Sequence, residues 1–392
     1  MRVLIAFDKF KESMTARQAC LVAEEALQEA LPDAEVEIAP ICDGGEGFCE
    51  ILTLARSGAL ETHEVHGPRM EPREALLGFV DCASLGADLL GFMGLPENGG
   101  QMAVVEMAQA SGLWGLPAEL RDPWECSTRG TGELLRIAAR RGACAIVLGI
   151  GGSATNDLGL GALEALGLDF EDASGDLLES IRPALFERIA SVRGAASALP
   201  PLLVACDVTN PLLGPSGASA VFGPQKGLRT ADVPRMDAAV EGAARALCAR
   251  FALGEETLAE PSGGAAGGLG WGLRAAFGAR YLPGFELAWK WMDLESRLDR
   301  ADLVIVGEGR FDHSSLGGKG PGTLARTALR RGKKVLVVAG SVEYGVADLL
   351  AADGTLAGCA AISPPELPLC QALAEGPARL RATLLTVLRD IV

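Results

Sequence analysis

Ala143-Cys144-Ala145-Ile146-Val147-Leu148-Gly149-Ile150 runs without a charge into Gly151-Gly152-Ser153-Ala154-Thr155-Asn156-Asp157. A short apolar run that ends in a glycine-rich polar turn, next to segments of helical period, is the pattern of a buried strand in a parallel sheet. The same pattern recurs outward in both directions. Arg2–Phe7 opens into Asp8-Lys9-Phe10-Lys11, and Glu35–Ala39 into Asp43-Gly44-Gly45-Glu46-Gly47. Met102–Met107 and Leu202–Ala205 are further strands, and Cys206-Asp207-Val208-Thr209-Asn210-Pro211 follows the second of them. Leu303–Val306 runs into Gly307-Glu308-Gly309-Arg310-Phe311-Asp312, and Val335–Ala339 into Gly340-Ser341. Helical spacing over Thr15–Ala30, Gly132–Arg141, Asp232–Ala252 and Ala378–Val392 supplies the crossovers. Glu61–His66 and Ala75–Val80, with turn residues between them, form an antiparallel pair.

The fold class expected from this rhythm is α/β. With 392 residues the chain exceeds one ordinary core, and two domains follow. The α/β rhythm breaks near Glu61 and returns near the end of the chain. Residues 1–61 with 285–392 therefore form one discontinuous α/β domain, and 62–284 an inserted mixed α/β domain.

Composition excludes several classes of function. Formal charge is −16 and the basic residues are dispersed, so nothing offers the positive patch that nucleic acid requires. The uncharged stretches Val208–Gln225 and Gly142–Asn156 are broken by glycine or proline, and neither spans a bilayer. The first residues, Met1 to Asp8, turn polar too early for a signal peptide or anchor. Ten cysteines show no C-x-x-C and no zinc spacing, which suits buried thiols in a reducing cytoplasm. The oligomeric state, a homo-oligomer included, stays open.

Ligands in open α/β sheets bind beyond the carboxyl ends of strands, so the polar turns are the candidate sites. Asp8 and Lys11 suit an anion at the mouth of the first strand; an ordinary helix entry capped by Ser13 is the alternative. Asp43 and Glu46, between glycines, suit Mg²⁺, with a plain glycine turn as the alternative. Gly152, Ser153, Asn156 and Asp157 offer backbone and side-chain groups at a strand–helix junction, where anions bind. The same stretch fits G-x-G-x-x-A with Asp169 twenty residues beyond Gly149, a dinucleotide pattern. Asp207 is a metal ligand, a general base or an Asx turn before Pro211. Near the chain's end, Arg310 and Lys319 are phosphate donors beside the acids Glu308 and Asp312. Gly318-Lys319 is followed by Gly320, so this is no Walker A loop. Three histidines and no G-x-S-x-G leave acids, lysines, an arginine and glycine turns, which are the parts of phosphoryl transfer.

These stretches, with Ser127-Thr128-Arg129-Gly130-Thr131-Gly132-Glu133-Leu134, Gly217 to Gly227 and Gly264-Ala265-Ala266-Gly267-Gly268, together resemble the bacterial glycerate kinases of the first type. The resemblance covers nearly the whole chain and keeps the family's order. It implies an ATP- and Mg²⁺-dependent kinase that converts D-glycerate to 2-phosphoglycerate. It implies too that the domain from both chain ends is flavodoxin-like, or Rossmann-like, with the active site in a cleft between the domains. On this reading either Asp207, slightly ahead, or Asp43 takes the hydroxyl proton, while Lys11 and Arg310 neutralise charge. Asp8, Gly152, Ser153, Asn156, Asp157, Asn210, Lys226, Glu308 and Lys319 bind substrate or nucleotide, and Glu46 and Asp312 hold the metal. Lys9 stands where the family commonly has Ser, Leu158 where it often has Gly, and Phe311 where it usually has Leu. Phosphorylation of the 3-hydroxyl, an NAD-dependent 2-hydroxyacid dehydrogenase and a non-catalytic sensor of small acids are the competing readings.

Overall fold

A computed structural model describes residues 1–97, 99–317 and 320–391. Its contacts divide the chain into two compact units, Met1–Asp43 with Ala288–Val392, and Gly44–Leu287. The first division falls at Asp43, so the helix Phe48–Ala55 and the strand Ala59–His66 go with the second unit. The sequence reading had kept residues as far as 61 with the first.

The chain opens with β1 (Arg2–Phe7), the helix Ala16–Ala30 and β2 (Glu35–Ile38). In the second unit it adds β3 (Ala59–His66), β4 (Pro72–Asp81), β5 (Gln101–Glu106), β6 (Ala145–Gly149), β7 (Leu202–Ala205) and β8 (Arg280–Leu282). It returns with β9 (Leu303–Gly307), β10 (Lys334–Ala339) and β11 (Leu356–Ala361), and ends in the helix Gly376–Ile391.

The first unit is a fully parallel sheet in the order β11-β10-β9-β1-β2. Counted along this unit alone, the order is 2-1-3-4-5, the doubly wound flavodoxin-like arrangement, whose switch point lies between β1 and β9. Strands covered on both faces read as continuous apolar runs. Val3 to Phe7 and Leu303 to Val306 are accordingly all buried. Alanines at 19, 23 and 26 let the helix Ala16–Ala30 share a core with Leu380, Leu384 and Leu388 of the last helix. The entry to that first helix departs from the alternative reading of the Asp8–Ser13 turn. Thr15, not Ser13, is the N-cap, in a capping box with Gln18. The Ser13 hydroxyl instead donates to Leu373 O at 2.7 Å.

The second unit is a mixed sheet in the order β8-β7-β6-β5-β4-β3. β5 to β8 are parallel and β3–β4–β5 antiparallel, which confirms the expected hairpin. Leu168–Glu171, Leu177–Leu178 and Ser191–Gly194 make a separate small antiparallel sheet. Asp169 lies in it, opposite Arg193. The strand after the Gly149–Asp157 turn therefore leaves the parallel sheet, and the βαβ unit that a dinucleotide fingerprint requires is not formed there. No helix among the described residues is long and apolar enough to cross a membrane.

Candidate active site

In the first unit, three turns at the carboxyl edge of the sheet are tied backbone to backbone. Asp8 N donates to Gly307 O at 3.0 Å, Gly340 N to Glu308 O at 3.0 Å and Ser341 N to Gly309 O at 3.1 Å. A side chain at 340 would not fit, since its Cβ would stand 2.2 Å from Gly309 O. These turns meet at the switch point and line a pocket of about 770 Å³, well inside the usual range for small-molecule sites. Asp8, Lys11, Asp43, Glu308, Arg310 and Asp312 face it on the polar side. Ile362, Leu367, Leu369 and Leu373 give it an apolar wall.

The charges in this pocket are unequal. Lys9 Nζ stands 3.7 Å from Asp8 Oδ1, whose oxygen also accepts from Lys9 N at 2.6 Å. Asp312 is held below its ordinary range, first by the Ser314 hydroxyl, and Arg310 Nε reaches its other oxygen at 3.1 Å. Glu308 goes the opposite way. Burial first, then the nearby charges of Asp8 and Asp312, lift its carboxyl to about 7 against the pull of the Ser315 hydroxyl and Lys9. Its Oε1 is buried with no hydrogen-bond partner. Lys319 lies outside the described residues.

In the second unit the glycine turns serve close packing. Gly44, with φ +100°, accepts from Gly151 N at 2.8 Å, and a Cβ on Gly151 would stand 2.6 Å from Gly45 Cα. The Glu46 carboxylate lies against Gly152, where a Cβ would meet Oε1 at 2.8 Å. The side chains of the Gly149–Asp157 turn, expected to meet a ligand, are enclosed by the protein. Ser153, Asn156, Asp157 and Lys226 are 7, 0, 0 and 1% exposed. Asp157 accepts from Thr128 N and Oγ1, both at 2.7 Å, and from Gly159 N and Gly161 N. That carboxylate gathers the starts of two helices, and burial raises its pKa. Lys226 Nζ donates to Thr155 O at 2.6 Å, and burial lowers its pKa to about 7 against the attraction of Asp157. Asn156 donates through Nδ2 to Ser219 Oγ at 3.0 Å, while its Oδ1 is without a partner. Asp207 Oδ2 accepts from Phe285 N at 2.9 Å, and Asn210 Nδ2 donates to Ser216 O at 2.9 Å.

Leu158, which stands where the resembled family often has glycine, has φ +56°. A glycine adopts that conformation without steric cost; here a buried leucine holds it, its backbone O against Gly272.

Glu106 was missed. It ends β5 at the same edge as Gly149, fully buried, accepting from Cys49 N at 3.1 Å. The available signal was an acid closing the apolar run Met102–Val105. Burial, more than the neighbouring Glu46 charge, raises its pKa from 4.5 to about 7. A raised folded-state pKa gives stability that is full below the unfolded value and is lost as pH climbs through about 7. Against Glu106→Gln, the wild type should lose on the order of 3 kcal/mol over that rise. Urea unfolding at a series of pH values reads this, and parallel stability curves for the two proteins would refute it.

An open α/β sheet with a charged pocket at its switch point is a small-molecule site, and the acids and bases around it are those of phosphoryl transfer. A family model described as the glycerate kinase family matches residues 3–392. The glycerate 2-kinase of Escherichia coli K12 is 38% identical over 87% of this chain and 86% of its own. The glycerate kinase of Bacillus subtilis 168 is 40% identical over 87% and 85%. A crystal structure of a protein assigned as glycerate kinase 2 from Salmonella typhimurium LT2 superposes with a TM-score of 0.75 at 36% identity, over 100% of this chain and 98% of the other. The chain belongs to the glycerate kinase family. It is accordingly an ATP-dependent kinase that acts on a hydroxyl group.

Proposed function

We propose that the protein transfers the γ-phosphoryl group of ATP to the 2-hydroxyl of D-glycerate. The observation that carries this reading is the switch-point pocket of the first unit, where Lys11 and Arg310 stand among four carboxyl groups. Its volume and its wall of Ile362, Leu367, Leu369 and Leu373 suit a nucleotide base with phosphates beside it. The relative from Escherichia coli, named a glycerate 2-kinase, supports the choice of hydroxyl.

The residues present also fit Mg²⁺. That ion takes hard oxygen ligands, one or two carboxylates with phosphate and water completing the set. Glu308, with an unpartnered buried oxygen, and Asp312 line one pocket and would hold it. Glu46, the other acid expected to bind metal, belongs to the second unit. Among the described residues no three acidic, histidine or cysteine side chains are grouped as a metal site, so a protein-only cage is not part of this reading. The ion would supply positive charge to the phosphates.

The protein's own groups do the remainder. Lys11 and Arg310 neutralise the transferring group and the glycerate carboxylate. A carboxylate oxygen of Asp207 or Asp43 takes the proton of the attacking hydroxyl. Asp8, Asn210 and the Gly152 backbone position the substrates. The ten free cysteines suit the cytoplasm as its place of work.

Purified protein with Mg²⁺-ATP is expected to release ADP only when D-glycerate is added. Phosphorus NMR of the product should then show coupling to one methine proton. Coupling to a methylene pair would move the reaction to the 3-hydroxyl. No glycerate-dependent release from folded protein would refute the assignment.

A further inference from the structure

Cys82 and Cys144 flank the entry to β5. Cys82 N donates to Gly100 O at 2.9 Å and Cys144 N to Gln101 O at 2.8 Å. Gly100 carries no side chain, and a Cβ placed there would stand 3.4 Å from Cys144 Cβ. Across that gap the sulfurs meet at 3.2 Å. A disulfide bond is about 2.05 Å long, so closure needs roughly 1 Å of further approach. Cys82 is buried and Cys144 exposed, which gives the two thiols different tasks. Burial, with Cys144 beside it, pushes the Cys82 thiol up to about 12, so Cys82 stays protonated until a mixed disulfide on the exposed Cys144 stands against it. Other buried thiols are turned to oxygen instead, Cys20 to Ile5 O and Cys49 to Val104 O.

We infer that Cys82 and Cys144 form a reversible dithiol–disulfide pair, closed by exchange with a small-molecule disulfide. The Cys144 thiolate attacks one sulfur of that disulfide, forms a mixed disulfide and expels one thiolate. Cys82 then gives up its proton, attacks Cys144 Sγ and expels the second thiolate. Two protein thiols lose two electrons, the small disulfide becomes two thiols, and the two protons end on them. The new bond joins positions 62 residues apart, tying the end of β4 to the start of β6. β4 runs against β5 and β5 along β6, so this edge is opposite Glu106 and Gly149. Oxidation therefore constrains the unfolded chain and stiffens the sheet without entering the ligand turns.

The test incubates the reduced full-length protein with oxidised glutathione, then maps its peptides and measures melting and turnover. The expected result is a Cys82–Cys144 crosslink lighter by two hydrogens, a higher melting temperature that reverts with dithiothreitol, and unchanged kcat. Cys370, exposed, should carry a glutathione adduct and no crosslink. Cys82→Ser should leave a lasting adduct on Cys144, while Cys144→Ser should abolish the crosslink. A stable glutathione adduct on Cys144 of the wild type, with Cys82 still a thiol, would overturn the inference. Reading the crosslink on the wild type makes the answer independent of whether either variant folds.

Discussion

Asn at position 207 or at position 43 is expected to cut kcat by about 10²–10⁴, whichever carboxylate takes the hydroxyl proton. The two substitutions are worth making together because the surroundings of the acids differ. Asp207 Oδ2 accepts from Phe285 N, and an asparagine amide oxygen can still accept there, so the local chain is preserved. Asp43 is exposed in the switch-point pocket, and its replacement removes charge without unsettling a core. The true base should lose kcat, whereas an acid that only positions substrate should show its loss mainly in KM. Steady-state kinetics with Mg²⁺-ATP and D-glycerate decide between them. If both variants keep kcat within about tenfold of the wild type, neither acid is the base.

Asp157→Ala should instead act on stability. Thr128 N, Gly159 N and Gly161 N would lose their acceptor inside the protein, each at about 1–3 kcal/mol. A total loss of at least about 3 kcal/mol follows, enough to threaten folding of a marginally stable domain. Asp157→Asn keeps one acceptor oxygen but brings an NH₂ against these donors, so it should fall between the two. Denaturant unfolding of the three proteins tests the order. Equal midpoints for wild type and Ala would show that Asp157 does not hold the two helix starts.

Both predictions concern acids that look alike in the sequence, and that likeness marks how far it can be read. Strands such as Leu202–Ala205 were legible to the residue because an unbroken apolar run has one use in a parallel sheet. Arg280–Leu282 and Leu356–Ala361 were missed. The first is three residues long, and the second is a half-buried edge strand of small residues around Gly358. The turns were found because glycines and acids after a strand are conspicuous. Which way their side chains point was not legible. Asp157 is enclosed by donors from Thr128, 29 residues earlier, and nothing local distinguishes it from Asp8 in an open pocket. Glu308 shows the same limit, since its proton affinity depends on burial and on Asp8, an acid from the far end of the sequence, as well as on its neighbour Asp312.

The pairing of β1 with β9 sets Val3 beside Leu303. A ribosome adding about 5–20 residues per second needs on the order of 15–60 s to travel between them. Throughout that interval Gly44–Leu287 can emerge and fold as one continuous stretch, while Arg2–Phe7, already made, has no β9 to pair with. An apolar strand made about 300 residues before its partner is thus buried late. Newborn chains of this protein should depend on chaperones that hold an unpaired apolar strand, and synthesis stopped short of Leu303 should yield a folded second unit joined to an adhesive, unpaired β1.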